Sequence, residues 1–410
     1  MFRLFASLIS IFLMVQVISA QTYVLRGGTL HTAEGQTIYN GIIAWNSEEI
    51  LYVGQGPFTI KDAVELSGDS LHIWPGFIAL CTQAGLSEID AARPTKDQYE
   101  VGYFNPHIRS QIAYNTDSKI LPTLRFNGVL FVQPSPVSGR IAGTSSIMRT
   151  WANNWEDATV KKDDAMHLNW PYLTSLPERA QNIQYEKEVK EIADFLKQAH
   201  AYQQNKPAEK DLRLESMTKV LEGKTILFIH VMRSTQVLDL IALMDQYPKI
   251  KYTLVMNNEV QWIAGILARR KIPVIIEALH RLPVLSQSAV DESYTLPKLL
   301  QDSGVKVALS LPGVWETRNL AFQAGTAAAY GLSQEEALQT ITLFPAQIAG
   351  VDHKIGSLKA GKEATFFATH GDALDMKGNI VKKIWIQGKE VPVNDLQQNL
   401  FQKYQKKYNE

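Results

Sequence analysis

Residues 225–310 hold four short β-branched apolar runs, TILFIHV (225–231), YTLVMN (252–257), PVIIEA (273–278) and VKVALS (305–310). Between them lie STQVLDLIALMDQY (234–247) and VQWIAGILARR (260–270), whose apolar residues recur at helical spacing. Strands that alternate with helices build parallel βαβ units, and GVLFVQ (128–133) extends the series upstream. At this chain length the leading expectation is an α/β fold of the (β/α)8 TIM-like type.

Outward from that core the pattern changes at both ends. From Thr22 to Trp74 the chain is a series of Gly-bounded β runs, YVLRGGTL, GIIAWN, ILYVGQG and LHIWPGF, and β runs return after Ala360 in ATFFAT and VKKIWIQGKEV. The expected organisation is a barrel over 75–354 and a small β-sandwich module built from both chain ends, 21–74 plus 355–395. A helical insertion is expected near 157–222, where the chain is rich in Lys, Glu and Gln.

The first twenty residues form a separate unit. Arg3 precedes an apolar run from Leu4 to Val17, then Ile18-Ser19-Ala20, which reads as a signal peptide (1–20) cleaved before Gln21. The run is shorter than the roughly 20 residues of a bilayer span. The expectation is an exported chain, periplasmic or secreted, with no membrane span after cleavage. Cys81 is the only cysteine, so no intrachain disulfide can form in that oxidising compartment. Charge cancels, with 41 basic and 41 acidic residues, which argues against capture of nucleic acid through phosphate contacts.

Several segments carry a family resemblance. WPGFIALCTQAGLSEID (74–90), EVGYFNPHIR (100–109), SGRIAGTSS (138–146), HLNWP (167–171), RNLAFQAGTAAAYGLSQEEALQTITLFPAQIAG (318–350) and IGSLKAGKEATFFATHGDAL (355–374) follow one another over nearly the whole mature chain. In this order the chain resembles the amidohydrolase superfamily, and within it the exported imidazolonepropionase-like members.

The resemblance implies metal-dependent hydrolysis of carbon-nitrogen bonds other than peptide bonds. Zinc or another divalent metal at the C-terminal mouth of the barrel acidifies a bound water there. It also implies which positions should carry the chemistry. A His-x-His pair is expected on the first barrel strand, where residues i and i+2 face one side; Cys81 and Gln83 stand there. An aspartate that ligates and shuttles a proton is expected after VALS; Leu311 or Pro312 stands there, and neither can do so. The carboxylated lysine of some relatives has no match, the nearest segment, MHLNWP, offering His167 and Asn169. His230 matches the fifth-strand histidine and is the one metal-ligand candidate carried over.

Three readings follow. The first is a pseudoenzyme that has lost most metal ligands, takes no metal cofactor and acts by binding a small molecule in the barrel mouth. In the second, the hydrolase is active through a rearranged site around His230, His280, Glu277 and Glu259. The third is a structural subunit, in a homo-oligomer or beside an intact amidohydrolase in a hetero-oligomer.

Overall fold

The computed structural model describes residues 21–89, 91–172, 178–205, 207–283 and 288–408, so the expected signal peptide lies outside the described residues. The N-terminal strands are β1 (Tyr23–His31), β2 (Thr37–Trp45), β3 (Ile50–Gly54), β4 (Val64–Ser67) and β5 (His72–Pro75). The barrel segment supplies β6 (Phe77–Thr82), β7 (Val129–Pro134), β8 (Ile141–Thr144), β9 (Ile147–Arg149) and β10 (Thr159–Lys161). It continues with β11 (Ala165–Asn169), β12 (Ile226–His230), β13 (Tyr252–Val255), β14 (Val274–Glu277) and β15 (Val307–Ser310). The chain returns through β16 (Phe366–Thr369), β17 (Val381–Ile386) and β18 (Lys389–Val391).

Strands from both ends join one eight-stranded sheet, ordered β18-β17-β16-β5-β1-β2-β3, with β4 paired to β1. Its inner face packs Trp45 against Phe366 and Trp385, ring centroids 5.0 and 5.4 Å apart, in the edge-on contacts that aromatic quadrupoles favour. Two of the contacts that hold this sheet to the barrel are close-packed. Arg149 in β9 pairs with Glu363 just ahead of β16, both side chains nearly excluded from water. Gly128, at φ +84°, lies under the Phe367 ring, where a Cβ would stand 2.4 Å from a ring carbon.

The barrel segment forms two arcs, β10-β9-β7-β6 and β15-β14-β13-β12-β11-β8. From β11 to β15 every neighbouring pair is parallel, and the helices Ser234–Met244, Ala264–Arg270, Glu292–Asp302 and Leu320–Ala329 follow β12 to β15 in turn. β15 and β6 are joined by the Ser310 hydroxyl donating to the Leu80 carbonyl. Thr340 and Ile341 add to this junction by accepting from Leu309 N–H at 2.9 Å and Ile78 N–H at 2.8 Å.

One expectation needs correction. Among the described residues the 157–222 stretch is helical at the end of Trp155–Ala158 and over Glu178–Gln204 and Leu212–Leu221, and its first part contains β10 and β11. The run AMHLN is buried nearly throughout and pairs with β12 on one side and β8 on the other. The Lys and Glu content downstream masked a strand that reads as an apolar run in its own right. Among the described residues no helix is long and apolar enough to cross a membrane.

Candidate functional site

The C-terminal ends of the strands gather the chemistry. His230 ends β12, Glu277 ends β14 and Asn169 ends β11, the face of such folds where side chains from several strands converge. His230, Glu277, Asn169, Trp170, Asn257 and Asn258 help line a cavity of about 390 Å³.

Below the cavity floor three ligand-type side chains meet. One donor atom each from Cys81, His167 and His230 lies within 4.8 Å of the others. In the β11–β12 ladder His167 stands opposite Phe228 and Asn169 opposite His230. Residues two apart share a face, so the imidazoles are diagonal neighbours, and His167 Nδ1 stands 3.0 Å from His230 Nε2. His167 Nε2 is buried without a hydrogen-bond partner.

Cys81 reaches this point through a distortion of β6. The register with β7 shifts between Ala79 and Thr82, and Cys81 has φ +51°, a left-handed conformation that costs a non-glycine residue of order 1 kcal/mol or more. Its N–H is instead taken by Gln133 Oε1 at 2.9 Å. Gln133 Nε2 donates to Asp164 Oδ2 at 2.6 Å, and the Ser145 hydroxyl donates to Asp164 Oδ1 at 2.9 Å. A buried polar chain therefore fixes the bend that turns the thiol inward.

Burial governs the protonation of these groups. It pushes the Cys81 thiol well above its usual range, helped by the negative fields of Glu277 and Asp164. His167 is held well below the usual imidazole value by burial and then by His230, and His230 is lowered by burial to about 4. Glu277 is raised by burial to about 7. Asp164 is raised by burial to about 6 against the opposing hydrogen bonds of Gln133 and Ser145. Near neutral pH both imidazoles are thus neutral and the thiol keeps its proton.

The candidates from the sequence are divided by the fold. Cys81 and His230 come together, and Gln83 N–H donates to the Pro312 carbonyl at 3.1 Å, so the substituted first- and eighth-strand positions are neighbours. Leu311 is buried and its carbonyl accepts from the Thr317 hydroxyl. Glu277 shares the cavity with His230. Glu259 instead accepts from Ser234 N–H at 3.0 Å, at the start of the Ser234–Met244 helix, and pairs with Arg233. His280 bonds the Thr326 hydroxyl and lines a separate groove with Phe322 and Asp372. Gln133 and Asp164 were not among the candidates, and His167 entered only through the segment nearest the family's lysine position, not as a metal ligand. For His167 the available signal was an imidazole in a buried apolar run beside the His230 strand.

The donor set can be tested against a metal of the kind the resemblance implies. Where a His-x-His pair and an aspartate would act, the chain has a thiol, a weakly bonding amide and a proline. That arrangement does not fit a water-activating metal pair. The Cys81, His167 and His230 trio is a different set, of sulfur and imidazole donors.

Comparisons agree on the fold. The family model described as "Amidohydrolase family" matches residues 174–391, and no curated protein matches. An amidohydrolase from Thermotoga maritima MSB8 superposes with a TM-score of 0.79 at 22% identity, over 90% of this chain and 99% of that one. A prolidase solved with N-methylphosphonate-L-proline gives a TM-score of 0.56 at 15% identity, covering 90% and 99%. A putative prolidase from Bifidobacterium longum gives 0.51 at 14%, covering 94% and 99%. These likenesses show a TIM-barrel-like α/β fold.

Proposed function

The chain belongs to the amidohydrolase family, and from that premise we propose that it is a binding member that no longer hydrolyses, holding a small molecule in the cavity at the strand ends. The observation that carries this reading is the contact of Gln83 with Pro312. At these neighbouring positions, where the resemblance calls for a metal ligand and a proton shuttle, there is a neutral amide and an imino acid. With no placed base at this patch to take its proton, water near neutral pH attacks an amide far too slowly.

The cavity remains suited to a ligand. Its volume falls in the range of small-molecule sites, and Asn169, Asn257 and Asn258 offer paired donors and acceptors beside the Trp170 ring. Glu277, at about 7, can present either a protonated or an ionised carboxyl. That pattern favours a neutral, amide-like or cyclic imide ligand.

The finer architecture belongs to the same reading: a closed (β/α)8 barrel with a sandwich-like β module, exported after removal of residues 1–20, alone or beside an intact amidohydrolase. One observation favours the rearranged hydrolase as a second reading, namely that Glu277 and His230 share the cavity. The deciding experiment combines calorimetry and turnover on one sample, with N-acyl amino acids, acyl-prolines and cyclic imides as probes. Binding without turnover, with and without added zinc, supports the proposal. Turnover abolished by both His230→Ala and Glu277→Gln overturns it in favour of the second reading.

A further inference from the structure

We propose that Cys81, His167 and His230 form a site for one thiophilic transition-metal ion. The site is distinct in its donors from the His-x-His arrangement that the resemblance implies, and it adds the β11 imidazole of His167.

Two observations carry it. The three donor atoms lie within 4.8 Å of one another, with the imidazole nitrogens 3.0 Å apart. Zinc bonds sulfur at about 2.3 Å and nitrogen at about 2.0–2.1 Å, so tetrahedral donors stand about 3.3–3.8 Å from each other. No donor pair therefore exceeds that spacing by more than about 1.5 Å. Finally, the chain spends a left-handed backbone at Cys81 and a buried Gln133–Asp164 pair to turn the thiol towards the imidazoles.

The donor chemistry selects the ion. One sulfur and two imidazoles suit zinc or copper and not magnesium or calcium, which demand oxygen. On binding, the thiol proton leaves to solvent and the Cys81 thiolate ligates the ion. Glu277 and Asp164 are the carboxyl groups whose fields reach Cys81, and their charge favours a divalent over a monovalent cation. The route in is the cavity that His230 lines. This inference stands apart from loss of hydrolysis, because occupancy and turnover are measured separately.

The test uses the full chain, stripped with a chelator under reducing conditions and titrated in separate arms with Zn²⁺, Cu²⁺, Mg²⁺ and Co²⁺. The expected result is one equivalent of Zn²⁺ or copper per chain, no Mg²⁺, and a thiolate-to-cobalt charge-transfer band in the near ultraviolet. Cys81→Ala should abolish the band and weaken Zn²⁺ binding by more than about a hundredfold, beyond the 10–100-fold of losing an outer-shell partner. His230→Asn should weaken it similarly. If Cys81→Ala does not fold, the cobalt band of the unaltered chain decides. A folded chain that takes up no Zn²⁺ or copper, or binds them without the band and unchanged by Cys81→Ala, overturns the proposal.

Discussion

Gln83 N–H meets the Pro312 carbonyl at 3.1 Å, which ties the end of the first barrel strand to the segment after the eighth. The contact runs through backbone atoms, so it survives a change of either side chain. It also means that Gln83 and Pro312, where the resemblance implies a metal ligand and a proton shuttle, occupy a single patch, though they are more than two hundred residues apart in sequence.

Restoring the family pattern should therefore be easy at one position and costly at another. Pro312 is partly exposed and its carbonyl is kept in Pro312→Asp, so that variant should lose less than about 1 kcal/mol. Cys81 is 4% exposed in a left-handed bend, and Cys81→His must fit a larger ring there, at a cost of about 1–3 kcal/mol. Urea denaturation of each single variant measures both. A larger loss for Pro312→Asp than for Cys81→His would refute the ranking.

The thiol of Cys81 should be inert in the metal-free native protein. Burial and two neighbouring carboxyl groups hold it in the protonated form, and only the thiolate is nucleophilic. Alkylation followed by mass measurement should find an unmodified chain under native conditions and one adduct in denaturant. Rapid labelling of the folded chain would show that the site opens readily.

Acid should destabilise the β module through His31. This side chain stacks on Trp74 with centroids 3.5 Å apart, and its Nε2 lies 2.9 Å from His72 Nδ1. Burial, and then His72, lowers it from 6.5 to about 3. The unfolded chain therefore takes up the proton first as pH falls. The stability due to neutral His31 is complete above 6.5 and is lost progressively down to about 3. At pH 4.5 the loss from this group is about 2–3 kcal/mol. His31→Gln should flatten the difference in unfolding free energy between pH 7 and 4.5 by that amount, and an unchanged slope would remove His31 as the cause.

The Arg149–Glu363 pair should behave as a joint between barrel and sheet. Arg149 Nε donates to Glu363 Oε1 at 2.9 Å, and Arg149 also bonds the carbonyls of Asp157 and Thr159. Glu363→Ala leaves a buried guanidinium without its counter-charge, at a cost of about 3–5 kcal/mol. Arg149→Met combined with Glu363→Leu should cost clearly less than Glu363→Ala alone. Equal losses in thermal unfolding would mean that the pair's charges are better solvated than their burial implies.

Much of the architecture could be read before any coordinates. Residues 226–230, 252–255, 274–277 and 307–310 are strands where the apolar runs were quoted, with helices between them. The β-rich runs at the two ends meet in one sheet, β16 lying beside β5. These features were legible because strand and helix are written in local periodicity, which a dozen residues suffice to express. The site was only partly legible. Cys81, Gln83, His230 and Pro312 could be named through the family resemblance, but Glu259 went to a helix start and His280 to another groove.

What the sequence determined by itself is thus the kind of fold, which local periodicity writes, while the reading of Gln83 and Pro312 as substituted ligand positions comes from the family resemblance of their segments. What the tertiary structure decided is which side chains share a space. His167 reaches His230 because β11 lies beside β12 in a particular register, and one residue of slip would turn His167 to the opposite face. Cys81 joins them because a bulge and a left-handed residue, held by Gln133 from another strand, redirect its side chain. Register and bulges are settled by contacts between segments far apart in the chain, and no local pattern records them.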